Sequence, residues 1–377
     1  MKVCILYPWM PDYRIDFFRE LEQRGLRDNV AYQIFAGSPP RELGNPDAQN
    51  FVSEFHNVRS IEIRLFNRSL IYYRNDKSWK DADAMIVEQS VRSLNTWIWS
   101  YLMKPKRLAM WGHGRTYTKS KAQFEERLKE RLTLRSDWFF AYTEGGKNHL
   151  LEVGYPAKNI SVINNSSPST LKLRDIYLST NDIDAFSQSF ELAGKRVAVF
   201  IGAFSADKRI DFLLDAAQQI QRTIPNFVLV FFGEGPEKSK IVEASKQFPF
   251  IKFAHYADLK TLKLIGQVAD VILMPGRVGL IAVDSFAIAT PIVTTNFGFH
   301  APEFEYLKNE VNCVITHDTL KQYVSGVTDL LQDSSRLTDL SAQCAKDCSN
   351  YSIETMASRF HEGVMALLKA PVKSSHK

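Results

Sequence analysis

Ala269-Asp-Val-Ile-Leu-Met-Pro-Gly-Arg-Val-Gly-Leu-Ile-Ala-Val-Asp-Ser-Phe-Ala-Ile-Ala-Thr-Pro-Ile-Val-Thr-Thr295 is the stretch whose reading decides the fold. Val271 to Met274 reads as a buried strand and Pro275-Gly276 as a tight turn. A short apolar helix opens near Gly279, and a second buried strand begins at Ile292. A strand–glycine turn–helix unit aims the free N–H groups of a helix start at one point, where a phosphate binds. Asp284, one turn into that helix, is placed to accept hydrogen bonds from sugar hydroxyls beside the phosphate. The combination predicts a nucleotide-sugar site.

Outward from this unit, strands and helices alternate almost throughout, which predicts parallel α/β layers. In the first half, strands are expected at Val3 to Tyr7, Ala84 to Glu88, Leu108 to Trp111, Trp138 to Tyr142 and Asn159 to Ile163. Helices are expected over Tyr13 to Arg24, through Trp97 and Trp99, and over Gly145 to Val153. The run from Ser166 to about Leu192 is rich in Ser, Thr, Asn and Asp with weak periodicity, and reads as a connection. The alternation then restarts with strands at Val197 to Ile201, Val228 to Phe232 and Ile251 to Phe253. Helices are expected at Ile210 to Arg222, Glu237 to Phe248 and Leu259 to Val268. A last amphipathic helix carries Ile353, Met356, Ala357, Phe360, Val364, Leu367 and Leu368, and Lys373 to Lys377 reads as a frayed tail.

A chain of 377 residues exceeds what one core usually serves. The expected layout is an acceptor-side domain at 1–170, a connection at 171–192 and a nucleotide-sugar domain at 193–350. The helix and tail at 351–377 are expected to pack back on the first domain. Tandem doubly wound sheets put ligands at the carboxyl ends of their strands, facing across a cleft. Hydrophobic residues at 45% and charged residues at 24% are those of a globular protein, and the net charge of +5 is compatible with acidic partners. No apolar run approaches a membrane span, and the start lacks signal-peptide features. Four cysteines in so long a chain fit a reducing cytosol. Cys344 and Cys348 share a helical face, but no further Cys or His pair completes a zinc set.

Ile201-Gly-Ala-Phe-Ser-Ala-Asp-Lys-Arg-Ile210 sets Gly202 after a strand and Lys208-Arg209 before a helix. A cation at a helix start is unexpected on dipole grounds, so Lys208 reads as the neutraliser of a diphosphate. Arg209 reads as a solvated partner of Asp211 or Asp215. Phe231-Phe-Gly-Glu-Gly-Pro-Glu237 ends a strand in a Gly-x-Gly turn around Glu234, a turn first and a ligand contact second. His113, between Gly112 and Gly114 at the end of a strand, is placed for function; the competing reading is a loop histidine that caps the next helix. Glu88, at a strand end, suits acceptor hydroxyls or the first turn of a helix. Tyr13 and Arg14 sit where an acceptor or phosphate would pass, or where a helix starts.

The ordered set Gly202 to Ala216, Gly233 to Glu237 and Ala269 to Thr295 resembles the C-terminal half of retaining glycosyltransferases of the GT-B fold, family 4-like (glycosyl transferases group 1). The likeness runs on through His300-Ala-Pro-Glu-Phe-Glu305 and Asn312. It also covers Tyr13-Arg-Ile-Asp-Phe-Phe18, Trp111-Gly-His-Gly114 and Tyr142-Thr-Glu-Gly-Gly146. The resemblance implies two Rossmann-like domains and a metal-independent transfer from a UDP-, GDP- or dTDP-sugar. It implies that Lys208 clamps the diphosphate and that Gly279 and Leu280 offer backbone N–H groups to it. Asp284 would take the place of the second acid of a Glu-x7-Glu signature, His113 would lie over the transferred sugar, and Glu303 would reach the donor. Two positions depart from the pattern: the first acid of the signature falls on Gly276, and an arginine usual after the strand's glycine is Ala203. Arg277 and Arg209 are the candidates to supply that charge on the donor side.

The basic residues Lys104, Lys106, Arg107, Arg115, Lys119, Lys121, Arg127, Lys129, Arg131 and Arg135 lie just after Trp97, Trp99 and Tyr101. The expectation is a cytoplasmic protein in which Glu125, Glu126 and Glu130 pair these charges along a solvated helix. The alternative is peripheral contact with anionic membrane at its inner face. No nucleic-acid module accompanies them. The resulting expectation is a hexosyltransferase using a glycan or lipid-linked acceptor in surface polysaccharide, lipopolysaccharide or glycolipid biosynthesis. A nucleotide-sugar epimerase and a catalytically silent binding subunit are the alternatives.

Overall fold

The computed structural model describes residues 1–37, 55–65, 68–116 and 123–372. Lys119, Lys121 and the tail from Lys373 lie outside the described residues. The chain divides into two compact units, Met1–Pro168 with Ile353–Lys377, and Ser169–Ser352.

In the first unit a seven-stranded sheet uses β1 (Lys2–Tyr7), β2 (Ala31–Ala36), β3 (His56–Asn57), β6 (Ala84–Glu88), β7 (Leu108–Gly112), β8 (Trp138–Ala141) and β9 (Ile160–Val162). Its order is β3-β2-β1-β6-β7-β8-β9, with parallel pairing throughout. An antiparallel hairpin, β4 (Ser60–Leu65) with β5 (Arg68–Tyr73), lies outside this sheet. The second unit has β10 (Arg196–Ile201), β11 (Phe227–Phe232), β12 (Ile251–Ala254), β13 (Val271–Met274), β14 (Ile292–Thr295) and β15 (Cys313–Thr316), ordered β12-β11-β10-β13-β14-β15. Strands such as Phe-Val-Leu-Val-Phe-Phe of β11 are buried along their whole length. Parallel sheets with helices on both faces demand that. Each side chain of this size contributes about 1.5–3 kcal/mol on burial.

Both sheets reverse their strand order beside the first strand, between β1 and β6 and between β10 and β13. At such a switch point the loops diverge, and a crevice opens outside the carboxyl ends.

The stretch read as a connection is instead partly helical and belongs to the second unit: Ser169–Lys172 and Thr180–Ser189 are α-helices. Weak apolar periodicity hid the second helix, whose start rests on a capping box between Ser179 and Asp182. The C-terminal helix Ile353–Lys369 belongs to the first unit. Phe360 stacks on Phe140 with centroids 4.2 Å apart, and Gly363 passes so close to β8 and β9 that an added Cβ would lie 2.6 Å from Phe140 and 2.4 Å from Ser161 Oγ. His361 donates from Nε2 to Asp28 at 2.7 Å and accepts the Tyr32 hydroxyl at Nδ1, also at 2.7 Å. Cys344 is buried, with its thiol donating to the Asn312 carbonyl, and Cys348 is half-buried. Among the described residues no helix is long and apolar enough to cross a membrane.

Candidate functional site

At the switch point of the second sheet, the loops leaving β10 and β13 meet. The Arg277 N–H donates to the Asp207 carbonyl at 2.8 Å, and Lys208 Nζ donates back to the Arg277 carbonyl. Contact is close enough that a Cβ on Gly276 would lie 2.3 Å from the Asp207 carbonyl oxygen and 2.6 Å from the Lys208 carbonyl carbon. That is why no acid occupies position 276: the space a side chain would need is taken by the backbone that carries Lys208. Burial pushes the Lys208 ammonium below its ordinary pKa; the Asp207 and Glu303 carboxylates oppose this and Arg277 adds to it. Desolvation of a cation that stays in reach of a ligand strengthens its pull on an anion.

Beyond Gly276 the chain turns into the seven-residue helix Ile281–Ala287. Among the described residues the N–H groups of Gly279 and Leu280 donate to nothing. The turn is held from behind by His300, which the sequence reading noted in the family likeness but gave no role. Its Nδ1 accepts the Val278 N–H at 3.0 Å, so Nε2 carries the hydrogen and donates to the Thr295 carbonyl at 2.9 Å. The ring lies flat on Phe304, 3.8 Å between centroids, and burial lowers its pKa to about 4. Asp284, one turn into the helix, accepts the Ser169 hydroxyl at 2.6 Å.

Gly202, with φ of 144°, faces open space, so a ligand can approach its backbone. Glu303 is buried in the turn Pro302–Tyr306 and close enough to Lys208 to act on its charge. Arg277 lies 3.8 Å from Asp207 and donates to the Phe299 carbonyl at 3.3 Å. Arg209 takes a left-handed conformation, pairs with Asp318 and lies 4.2 Å over Phe212. Its carboxylate partner is therefore neither Asp211 nor Asp215, because the αL turn swings the side chain toward the loop after β15. Glu234 is exposed and pairs with Lys238 at 2.9 Å and His255 at 2.7 Å.

In the first unit His113 is exposed on the loop after β7, edge-on to Tyr142 at 4.9 Å. The loop is held by Gln89, whose amide accepts the Gly114 N–H at 3.1 Å and donates to the Gly114 carbonyl at 3.3 Å. Gly146, in the helix Glu144–Glu152, lets the His113 carbonyl come so near that a Cβ there would stand 2.5 Å from it. Glu88 is half-buried at the end of β6, and burial pushes its carboxyl up to about 7 against the pull of Arg14 and Lys129. Tyr13 is exposed. Arg14, expected in the path of a ligand, is instead only 1% exposed. It donates to the Tyr142 hydroxyl at 3.1 Å and lies over the rings of Trp111 and Tyr142. The helix Asp12–Arg27 turns it inward, and its role is to hold the aromatic floor under β7 rather than to meet a ligand.

Residues 182–347 match the model of the family "Glycosyl transferases group 1". A glycogen synthase of Mycobacterium tuberculosis is 25% identical over 136 residues, 33% of this chain and 33% of that one. An alpha-monoglucosyldiacylglycerol synthase of Acholeplasma laidlawii is 25% identical over 136 residues, 33% of this chain and 34% of that one. The aligned stretch thus spans about a third of these curated relatives. The crystal structure of Anabaena HepE in complex with UDP is similar at a TM-score of 0.71 and 14% identity, covering 97% of this chain and 100% of that one. The last likeness is one of fold. The chain carries the GT-B fold, and its residues 182–347 match the glycosyl transferases group 1 model.

Proposed function

We propose that the protein is a retaining glycosyltransferase that moves a hexose from a nucleotide-diphosphate sugar to a hydroxyl of a glycan or lipid-linked acceptor. The observation that carries this is the half-buried Lys208 ammonium, held at the Arg277 carbonyl beside the unpartnered N–H groups of Gly279 and Leu280. Together they offer a pyrophosphate one charge and two donors where negative charge grows as the sugar leaves. Asp284 holds the adjoining ribose and Glu303 the donor sugar, while the second unit takes the donor and the first the acceptor. The departing phosphate itself helps to deprotonate the acceptor hydroxyl, so no protein carboxylate attacks the sugar and no metal is required. UDP in the HepE structure favours a UDP-sugar among the UDP-, GDP- and dTDP-donors. The names of the two curated relatives support glycan or glycolipid synthesis. His113 lies over the transferred sugar, and Glu88 and Tyr13 contact the acceptor.

Lys208→Ala tests the reading. Turnover should fall roughly 100- to 1,000-fold, the cost of removing one donor to a developing anion, with the circular dichroism spectrum kept. Near-normal turnover removes the proposed role, and EDTA should leave the wild-type rate unchanged. Nucleoside diphosphate released only when an acceptor is present separates transfer from epimerisation. Donor binding without turnover would point to a silent subunit. Exposed Leu102 and Met103 among Lys104, Lys106, Arg107, Arg131 and Arg135 suit peripheral contact with anionic lipid. Flotation with anionic but not neutral liposomes is the expected result.

A further inference from the structure

The switch point of the first sheet also holds a pocket, of about 110 Å3, where the carboxyl ends of β1 and β6 diverge. Leu6, Pro8, Ile71, Tyr73 and Val87 make its walls apolar, and Glu88, Ser90, Arg92, Ser93 and Thr96 supply polar groups. The hairpin wall is tied down on both sides. The Tyr73 N–H donates to Asn95 Oδ1 at 2.7 Å and the Asn95 amide returns a bond to the Tyr73 carbonyl at 2.8 Å, while the Ile71 N–H donates to the Arg92 carbonyl at 2.8 Å. Thr96 lies in the first turn of the helix Leu94–Tyr101 and is fully buried. Its hydroxyl has no hydrogen-bond partner among the described residues. A helical threonine usually satisfies itself on the carbonyl one turn earlier, but here that carbonyl, at Arg92, accepts the Ile71 N–H and not the Thr96 hydroxyl. A buried hydroxyl left unpaired costs free energy, and one lining a pocket is explained by a ligand that pairs it.

The size of the pocket limits that ligand. A cavity of roughly 150 Å3 accommodates one benzene ring, so this smaller one admits a substituent of a sugar rather than the ring itself. A hydroxyl or hydroxymethyl would leave the apolar walls unfilled. A phosphate or carboxylate would bring negative charge against Glu88, and among the described residues that line the pocket the one cation, Arg92, is exposed. An acylamino group matches each feature: an N–H donor for Glu88, a carbonyl acceptor for the Thr96 hydroxyl, and a methyl for Leu6, Ile71 and Val87. We propose that this pocket holds the N-acetyl group of an acceptor amino sugar, with Glu88 accepting its amide N–H and Thr96 donating to its carbonyl. The assignment rests on the transferase reading and narrows the acceptor to N-acylated amino sugars.

Saturation-transfer NMR on the full chain, without donor, tests it. The probes are the methyl glycosides of N-acetylglucosamine and N-acetylgalactosamine, each against its hydroxyl counterpart, with glucose 6-phosphate as the anionic arm. At least one N-acetyl glycoside should bind tenfold or more tighter than its counterpart, with the acetamido methyl receiving the most saturation. Thr96→Val and Glu88→Gln, both near-isosteric, should each shrink that ratio about tenfold. Equal binding within both pairs overturns the proposal, as does tighter binding of glucose 6-phosphate. A preference that survives in folded variants overturns the roles of Glu88 and Thr96, and the wild-type comparison stands even if a variant does not fold. UDP titrated into the same sample separates the two readings. UDP binding without acetamido preference removes the pocket assignment alone, whereas acetamido preference without nucleotide binding removes the transferase reading.

Discussion

Gly276 shows how a single position can mislead a sequence reading and then explain itself. In the sequence it is a departure from the signature, whereas the structure makes it the point where two backbones touch, with Asp207 and Lys208 within 3 Å of any added Cβ. Gly276→Ala should therefore destabilise by about 1–3 kcal/mol, as overpacking does, and weaken donor binding because Lys208 must move. A thermal melt checks the first effect and calorimetric titration with UDP the second, and unchanged affinity would refute the coupling. Gly276→Glu, which rebuilds the family signature on paper, should be worse still. His300 gives a second test. Its pKa is held near 4 by burial, against an ordinary 6.5. The neutral form is thus the one that fits, and its contribution is complete above pH 6.5 and lost as the pH falls toward 4. Thermal melts between those limits should show this slope in the wild type and a shallower one in His300→Phe. Lys208 and Asp284 stood out as candidates in the sequence, the first because a cation at a helix start is unexpected and the second because it follows a glycine turn. The contacts of His300, Asp207 and Gln89 had no such signal, since they act on backbone groups brought from elsewhere in the chain.

Among the elements, those with strong apolar runs were read well. The strongly apolar strands β10, β11 and β13 and the helix Ile210–Thr223 stand where the alternation put them, within a residue or two. The helix Thr180–Ser189 escaped because none of its residues is fully buried, although Phe186 packs half-buried against the core beside Phe232. Its start is held by a capping box, where the Ser179 hydroxyl accepts the Asp182 N–H and the Asp182 carboxylate accepts from Ser179 in return. Ser179→Ala should cost about 1 kcal/mol, the usual worth of such a cap. It should speed amide exchange in this helix first, and uniform exchange would show that the helix is held by other contacts. The strand Ala31–Ala36 and the hairpin 60–73 were also missed: one mixes polar and apolar residues, and the other has exposed Ile61 and Ile63.

At the scale of the whole molecule, the chain closes its first unit with its last helix. Phe360 reaches Phe17, Phe140 and Trp111 at centroid distances of 5.4, 4.2 and 5.5 Å, so this segment fills the core of a unit whose other strands lie more than 190 residues earlier. Phe360→Ala should cost about 3–5 kcal/mol. In calorimetry the loss should fall on the transition that UDP does not raise, since the nucleotide is proposed to bind the second unit. A shift of the UDP-sensitive transition instead would show that the units unfold together. The sequence by itself determined the parallel α/β layers and marked Lys208, Gly279 and Asp284 as donor-side candidates, because burial patterns and turn glycines are local properties of the chain; the strand order, and with it the two switch points, came from the tertiary structure. Only the tertiary structure decided that Arg14 faces inward, that Arg209 pairs with Asp318, that position 276 has no room for an acid and that Thr96 lines a pocket. Each of these depends on which distant backbone comes within a few ångströms, and no local pattern encodes that distance.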